Sequence, residues 1–166
     1  MPTLIRLSDG VFSEVEDTFA PPGEDPPRPV SDRFVSLEAW LAGAAAEARP
    51  ARIGVLLGPE DDVEALDGRL GGVEVVALSF PKFRDGRPFT AARLLRERLG
   101  FRGEVRAVGD VLRDQAGFMV RCGFDAFVPA DGSGPGEWAS AAGRHRHVYQ
   151  RAADGRSPAF VERGRG

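Results

Sequence analysis

The chain has 166 residues, about the size of one domain, and with 42% hydrophobic and 28% charged residues it has the composition of a globular protein. A net charge of −3, with arginines interleaved among Asp and Glu, argues against a nucleic-acid-binding protein, which would carry a concentrated basic face. No apolar run approaches the roughly 20 residues that span a bilayer, and the N-terminus has no signal-peptide pattern, so we expect a cytoplasmic protein without a membrane segment.

The cysteine and histidine content limits redox and metal chemistry. Cys122 is the only cysteine, which excludes an internal disulfide, a CxxC pair and a four-cysteine iron–sulfur cluster held by this chain alone. His145 and His147 would share one face of a strand, but without a nearby cysteine they make a poor zinc site. We therefore predict no metal site.

The first 35 residues are predicted to form a hairpin and a connector. LIRL and VFSEV flank Ser8-Asp9-Gly10, a strong turn signal, so residues 4–20 are expected to form a β-hairpin. The segment PPGEDPPRP at 21–29 fits neither a helix nor a central strand and is expected to be extended. This divides the chain into an N-terminal segment, 1–35, and a single α/β domain, 36–166.

Strand and helix patterns alternate through the α/β domain. The predicted strands are short apolar runs at 53–57, 73–80, 104–109 and 125–129. The predicted helices are 37–48, 61–70, 91–99, 111–122 and a short one at 137–142. Ser36, Thr90 and Asp110 are expected to cap helices at their N-termini, and Gly100 and Gly123 to end two of them.

Four buried strands separated by helices indicate parallel βαβ units with right-handed crossovers. The unit spacing fits a flavodoxin-like open sheet or half of a (β/α)8 barrel, and the sequence leaves both alternatives open. The tail, HVYQ and PAFVE around Asp154-Gly155, is expected to form a C-terminal hairpin. The two terminal hairpins would cover a sheet edge.

Ligands of parallel α/β proteins gather at the C-terminal ends of the strands. The residues that follow the four predicted strands form a rim of mixed charge. They are Glu60, Asp61 and Asp62, then Lys82, Arg84, Asp85 and Arg87, then Asp110, Arg113 and Asp114, and finally Asp131.

Lys82 is the only lysine beside 21 arginines, and it lies between Phe80 and Phe83. Aromatic neighbours could desolvate its ammonium and prime it as a base or nucleophile, or could pack against its stem, and it could also be a chance survivor of arginine enrichment. Asp110 has a structural explanation as a helix cap and a second possible role in the site. Lys82 and Asp110 are the candidate catalytic residues.

The loop 81–88 carries three cations, Lys82, Arg84 and Arg87, against one carboxylate. With Arg113 it is predicted to bind an anion, because arginine grips oxyanions with paired donors and lysine offers a point charge. The loop at 131–136 departs from GxGxxG and is predicted to be a turn rather than a phosphate cradle. Cys122 lies at a helix C-terminus, where a buried, inert thiol is expected.

The stretch FPKFRDGRPFTAARLLRERLGFRGEVRAVGDVLRDQAGFMVRCGFDAF resembles the core of the bacterial domain-of-unknown-function family DUF934. The similarity extends from about Ser36 to Gln150. Members of the family are often labelled oxidoreductases of sulfite reduction because they accompany assimilatory sulfite reductase. The resemblance implies a pathway, assimilatory sulfur metabolism, and it supplies no catalytic residues.

Two classes of function follow. In the first, the chain is an accessory or binding protein that acts with sulfite reductase or a neighbouring enzyme. In the second, it is a small α/β enzyme, such as an oxidoreductase, acting on an anionic sulfur or phosphate-bearing substrate through Lys82, Arg84 and Asp110. The sequence specifies no cofactor, since it lacks a dinucleotide fingerprint and a redox dithiol.

We also predict a homodimer or a complex with another chain. A four-stranded parallel sheet leaves edges to cover. In addition, the aromatic group of Phe80, Phe83, Phe89 and Phe101 is expected to exceed one small core.

Overall fold

The computed structural model describes residues 3–20, 32–43, 52–144, 148 and 151–163. The described strands are β1 Leu4–Ser8, β2 Val11–Val15, β3 Arg33–Ser36, β4 Ile53–Leu57, β5 Val73–Phe80, β6 Glu104–Gly109 and β7 Ala126–Phe127. The described α-helices are α1 Leu37–Leu41, α2 Arg87–Arg93, α3 Ala116–Cys122, α4 Pro135–Ala142 and α5 Ala159–Arg163. Shorter 3-10 turns lie at Val63–Leu66 and Arg113–Gln115, and a π-helix at Leu94–Arg98 continues α2.

All seven strands form one open sheet in the order β2-β1-β7-β6-β5-β4-β3. Strands β3 to β7 are parallel, and the β1–β2 hairpin joins their β7 edge in antiparallel register. The open α/β fold and the N-terminal hairpin are therefore confirmed, with five parallel strands instead of four. The structure places the predicted N-terminal hairpin in the same sheet as the α/β units.

The helices cover one face of the sheet. Parallel crossovers are right-handed, and here each one advances the chain to the next strand in the same direction, so all connections fall on the same side. Leu78, Ala107 and Phe127 are paired in register and belong to a buried core with residues of all four helices α1 to α4. Trp138 of α4 is fully buried in this core, with its ring 4.5 Å from that of Phe127.

The opposite face of the sheet is covered by the segment that follows β2. Arg106, in the middle of β6, is only 1% exposed and donates to Asp17 at 2.9 Å. Its guanidinium lies over the rings of Phe19 and Phe34, 5.4 Å from each centroid. A side chain at Gly54 would meet the Phe34 ring at 2.5 Å, so only glycine leaves room for this layer.

The sequence analysis did not predict the strand β3: it ended the extended connector at Pro29, began the first helix at Leu37 and assigned no strand to residues 30–36. Residues 33–36 nevertheless pair with β4 as an edge strand. The predicted helix 37–48 begins correctly with Ser36 as its N-cap, whose hydroxyl accepts from Ala39 at 3.1 Å. The helix is shorter than predicted, because it ends at Leu41 and is followed by a turn at Ala42 and Gly43; residues 44–48 of the prediction lie outside the described residues.

Several predicted helices differ from the described ones in length or start. The acidic segment 61–70 forms only the 3-10 turn Val63–Leu66, because Gly68, Gly71 and Gly72 follow it closely. Helix α2 begins at Arg87 rather than after Thr90, since Pro88 is well suited to a first helical turn. Gly100 and Gly123 end their helices as expected, with positive φ values of 65° and 106°.

The predicted C-terminal hairpin is wrong in its second arm. PAFVE forms the helix α5, with Pro158 directly before its first residue, a position in which proline favours helix initiation. Of the first arm, HVYQ, only Val148 is described, and its carbonyl accepts from Ala159 at 2.6 Å. Among the described helices, none is long and apolar enough to cross a membrane.

Candidate functional site

The C-terminal edge of the parallel strands carries the residues that the sequence singled out. Lys82 follows β5 and Asp110 follows β6, its neighbour in the sheet. The backbone N–H of Phe83 donates to Asp110 Oδ2 at 3.0 Å, which fixes the loop after β5 against the end of β6. The expectation that Lys82 and Asp110 lie at the same edge is confirmed.

Asp110 was predicted to cap a helix, and this prediction is wrong. The α-helix after it starts only at Ala116, and the Asp110 N–H donates to the Phe80 carbonyl at 2.7 Å. This sharp turn depends on Gly109, whose φ is +94°. A Cβ atom at this position would lie 2.4 Å from the Phe80 carbonyl oxygen. Instead of a helix, the Asp110 carboxylate holds the loop 81–88 by accepting the hydrogen bond from the Phe83 N–H.

Two cations of the loop have no carboxylate partner among the described residues. Lys82 is exposed, and its ammonium forms no ion pair with Asp110 or any other described carboxylate. Arg84 is also exposed and lies over the Phe83 ring, 5.3 Å from its centroid. The structure thus presents two unneutralised positive charges on either side of Phe83.

Arg87 is engaged in the loop that it belongs to. Its Nη2 and Nε reach the Asp85 carboxylate at 2.6 and 3.0 Å, and its Nη1 contacts Glu60 from the loop after β4. The hydrogen bonds from Arg87 lower the pKa of Asp85 to about 2, and the same contacts raise the pKa of Arg87. Of the predicted anion-binding set, Arg87 is already paired with two carboxylates.

Arg113 is paired as well, with Asp131 at 3.3 Å and Glu137 at 2.9 Å. These two acids belong to the glycine-rich loop after β7 and to the first turn of α4. In that loop the N–H groups of Ser133 and Gly134 donate to Asp131 and Glu137, and the bonds from Ser133 lower the pKa of Asp131. The loop is therefore a turn in which the N–H groups of Ser133 and Gly134 already donate to carboxylates of this chain.

An aromatic surface lies beside the loop 81–88. It consists of the exposed rings of Phe83 and Phe118, the buried ring of Phe89 beneath Phe118, and the flanking cations Lys82 and Arg84. Phe118 is 52% exposed and stacks on Phe89 at 4.7 Å. Gln115, one turn before Phe118, donates to the Phe83 carbonyl at 2.9 Å and so connects α3 to the loop.

The sequence analysis missed Phe118. The core positions of α3 are Ala116, Met119 and Cys122, which recur at helical spacing. Phe118 falls off this stripe, and a large aromatic residue at an exposed helix position is the signal that could have identified it. Of the four phenylalanines expected to exceed the core, Phe80, Phe89 and Phe101 are buried and only Phe83 is exposed.

A cleft of about 270 Å³ opens between the loops that follow β4 and β5. Its floor is formed by Leu57, the last residue of β4, and Leu78, two residues before the end of β5. Helix α2 forms one wall and the 3-10 turn at Val63 the other. Open concave space therefore exists at the expected edge, but Lys82 does not line it.

The remaining candidates from the sequence have simple environments. Cys122 is buried, and burial raises the pKa of its thiol to about 11. Within the described residues, no group of three or more His, Cys, Asp and Glu side chains is arranged to hold a metal ion. His145 and His147 lie outside the described residues.

A comparison with protein families supplies the relationship of this chain. The family described as "Bacterial protein of unknown function (DUF934)" matches residues 54–160, about two thirds of the sequence. The chain belongs to this family. The matched range runs from β4 to the start of α5, and so includes the loop 81–88, the cleft and the aromatic surface. No curated protein matches the chain.

Proposed function

We propose that this DUF934 protein is a non-catalytic binding protein of assimilatory sulfur metabolism that docks on sulfite reductase through the aromatic surface. The observation that carries the proposal is the pair of exposed phenyl rings, Phe83 and Phe118, beside two cations without carboxylate partners. The choice of sulfite reductase follows from the family resemblance, which implies the pathway.

The composition of the aromatic surface supports a protein partner. Aromatic residues and arginine are enriched at the centres of protein interfaces, and an aromatic ring buries a large area at a small loss of side-chain freedom. Phe118 stands on Phe89 and Phe83 is held by its backbone bonds to Asp110 and Gln115, so both rings are presented by fixed supports. Preorganised supports of this kind reduce the entropy lost on binding.

The charges beside the rings indicate the chemistry of the partner. Lys82 and Arg84 are exposed and unneutralised, so an acidic surface would complement them and accelerate association. Arg87 and Arg113, in contrast, are already held by carboxylates of this chain. We therefore expect a partner surface that combines carboxylates with an apolar patch.

The test is the binding of purified sulfite reductase from the same organism to the full chain, measured by size-exclusion chromatography and calorimetry. Phe83→Ser combined with Phe118→Ser should weaken the complex at least tenfold, since interface aromatic residues commonly contribute a kcal/mol or more (about 1.4 kcal/mol is tenfold). Phe160→Ser is the matched control, because Phe160 is 65% exposed on α5. No complex with the wild-type chain would contradict the proposal.

A second candidate function is a small α/β enzyme that acts on an anionic sulfur or phosphate-bearing substrate. The specific observation in its favour is the exposed Lys82 ammonium, unpaired at the edge where parallel α/β proteins bind ligands. Calorimetric titration with sulfite, sulfate and adenylyl sulfate tests it. Binding that is lost in Lys82→Ala would favour the enzyme over the docking protein, with Arg102→Ala as an exposed control.

A further inference from the structure

The cleft between the β4 and β5 loops results from an unusually thin helix layer. The connection from β4 to β5 contains only the 3-10 turn Val63–Leu66, whereas the next connection contains α2 and its π-helical continuation. The short turn covers less of the sheet than a full helix would, and the cleft reaches down to the buried side chains of Leu57 and Leu78. The resulting volume is about 270 Å³, close to the lower end of ligand pockets, which range from about 300 to 1,000 Å³.

The interior of the cleft is apolar. Leu57 and Leu78 form its floor, and Val63, Ala91 and Leu94 line its walls. Leu94 is the first residue of the π-helix, in which the Leu99 N–H donates to the Leu94 carbonyl at 2.9 Å. Such π segments are rare and are frequently found at functional sites. The walls are therefore suited to the apolar body of a small molecule.

The polar groups of the cleft accept hydrogen bonds. Thr90 lines it, and its hydroxyl makes no side-chain hydrogen bond to another described residue. Asp61 uses one carboxylate oxygen to accept from the Gly58 N–H at 2.7 Å, and Asp62 uses one for the Glu64 N–H at 2.9 Å. Each of the two carboxylates keeps a second oxygen for a ligand.

The charge around the mouth is negative. Arg87, the only cation among the described residues that line the cleft, is bound by Asp85 and Glu60. Together with Asp61 and Asp62 these groups amount to four carboxylates and one guanidinium, a net charge of −3. A cleft of one sign between low-dielectric walls focuses its potential and attracts ligands of the opposite sign.

We propose that the cleft binds a small amine with an apolar body, seating the body against Ala91 and Leu94 and the ammonium between Asp61, Asp62 and the Thr90 hydroxyl. This site is separate from the aromatic surface and its charge preference is opposite to that of an anion site. It gives the protein a small-molecule ligand in addition to its docking partner.

Three probes of the same shape test the charge preference: benzylamine, benzyl alcohol and benzoate. Each is titrated into the full ¹⁵N-labelled chain, and the amide signals of Leu57, Leu78, Thr90 and Leu94 are followed by NMR. We expect benzylamine to shift these signals with the lowest Kd and benzoate not to shift them. Benzoate or benzyl alcohol binding as tightly as benzylamine, or no shift with any probe, would overturn the proposal.

Two variants locate the binding within the cleft. Ala91→Phe fills the space between the walls and should abolish the benzylamine shifts. Asp61→Asn keeps an oxygen for the Gly58 N–H but removes one charge, so it should raise the Kd about threefold. Arg102→Gln, at an exposed site outside the cleft, is the control. Benzylamine binding unchanged in both variants would place it elsewhere and overturn the assignment.

Discussion

Arg106 and Arg87 each hold two carboxylates, but they do so in opposite surroundings. Arg106 lies under the segment after β2 with its side chain 2% exposed, and it binds Asp17 and Glu104 at 2.9 and 2.7 Å. Arg87 lies on the rim of the cleft with its side chain 52% exposed, and it binds Asp85 and Glu60. The same pairing chemistry therefore fixes one face of the fold and only organises two loops at the other site.

The comparison shows where charged residues determine structure and where they are open to function. At the buried site, removal of the cation leaves carboxylates that water cannot fully solvate, so the cost is large. At the exposed rim, water replaces the lost partner at little cost. A ligand or partner could therefore replace the ion pairs of Arg87 without unfolding the chain, whereas the ion pairs of Arg106 are needed for the fold.

The largest expected effect is that of Arg106→Ala. It should lower the free energy of unfolding by about 3–5 kcal/mol, because Asp17 loses its buried counter-ion, Glu104 keeps only Arg6, and Phe19 and Phe34 lose the guanidinium that lies over both rings. Urea denaturation followed by circular dichroism measures it. Arg102→Ala, at an exposed position, is the control, and a loss below about 1 kcal/mol would contradict a structural role for the buried pair.

An intermediate effect is expected for Arg96→Ala. Arg96 lies near the start of strands β6 and β7, at the end of the sheet away from the cleft. Arg96 donates to the carbonyls of Gly123, Phe101 and Gly103 at 2.9, 2.9 and 2.7 Å, and its side chain is 18% exposed. Loss of these donors should cost about 1–3 kcal/mol in the same urea experiment. A midpoint equal to that of Arg102→Ala would show that water replaces all three bonds.

The smallest effect on folding is expected for Arg87→Ala. Its urea midpoint should fall only slightly below that of the Arg102→Ala control, because Glu60 is 85% exposed and removal of the exposed Arg87 side chain opens the Asp85 carboxylate to water. A destabilisation as large as that of Arg96→Ala would erase the distinction between buried and exposed pairs. The two loops should instead become more mobile, which amide hydrogen exchange at 58–62 and 81–88 detects.

The pH dependence of the rim follows from Asp85, whose pKa Arg87 lowers from 3.8 to about 2. A lowered folded-state pKa stabilises the protein above the ordinary pKa, and this contribution is lost as the pH falls from about 4 to 2. Carboxyl ¹³C NMR titration should give an Asp85 midpoint near 2 in the wild type and a higher one in Arg87→Ala, still below 3.8 because the backbone N–H of residue 87 continues to donate to Asp85. The same midpoint in both proteins would contradict the assigned cause.

The sequence predicted the strand units well because their signal is local. Apolar runs such as 73–80 and 104–109 are bounded by turn residues, and the structure has both as strands. It failed for β3, which is held by pairing with β4 and carries little apolar signal of its own. It also failed for PAFVE, for a different reason: a short apolar run fits either a strand or a helix, and here it forms the helix α5.

The candidate site was predicted in position but not in detail. The rule that strand C-termini share an edge brought Lys82 and Asp110 together, as found. Which cations stay free depends on pairs distant in sequence, such as Arg87 with Glu60 and Arg113 with Asp131, and spacing alone does not reveal them. The exposure of Phe118 likewise depends on how α3 packs against its neighbours.

The most direct test of the docking surface is hydrogen–deuterium exchange of the full chain alone and with sulfite reductase. The account predicts slower exchange at residues 82–84 and 115–119, and no change in β6 around Arg106. The double variant Phe83→Ser, Phe118→Ser should lose that protection. A complex that protects the exposed strand β2 or the helix α5, and leaves 82–84 and 115–119 unchanged, would contradict it.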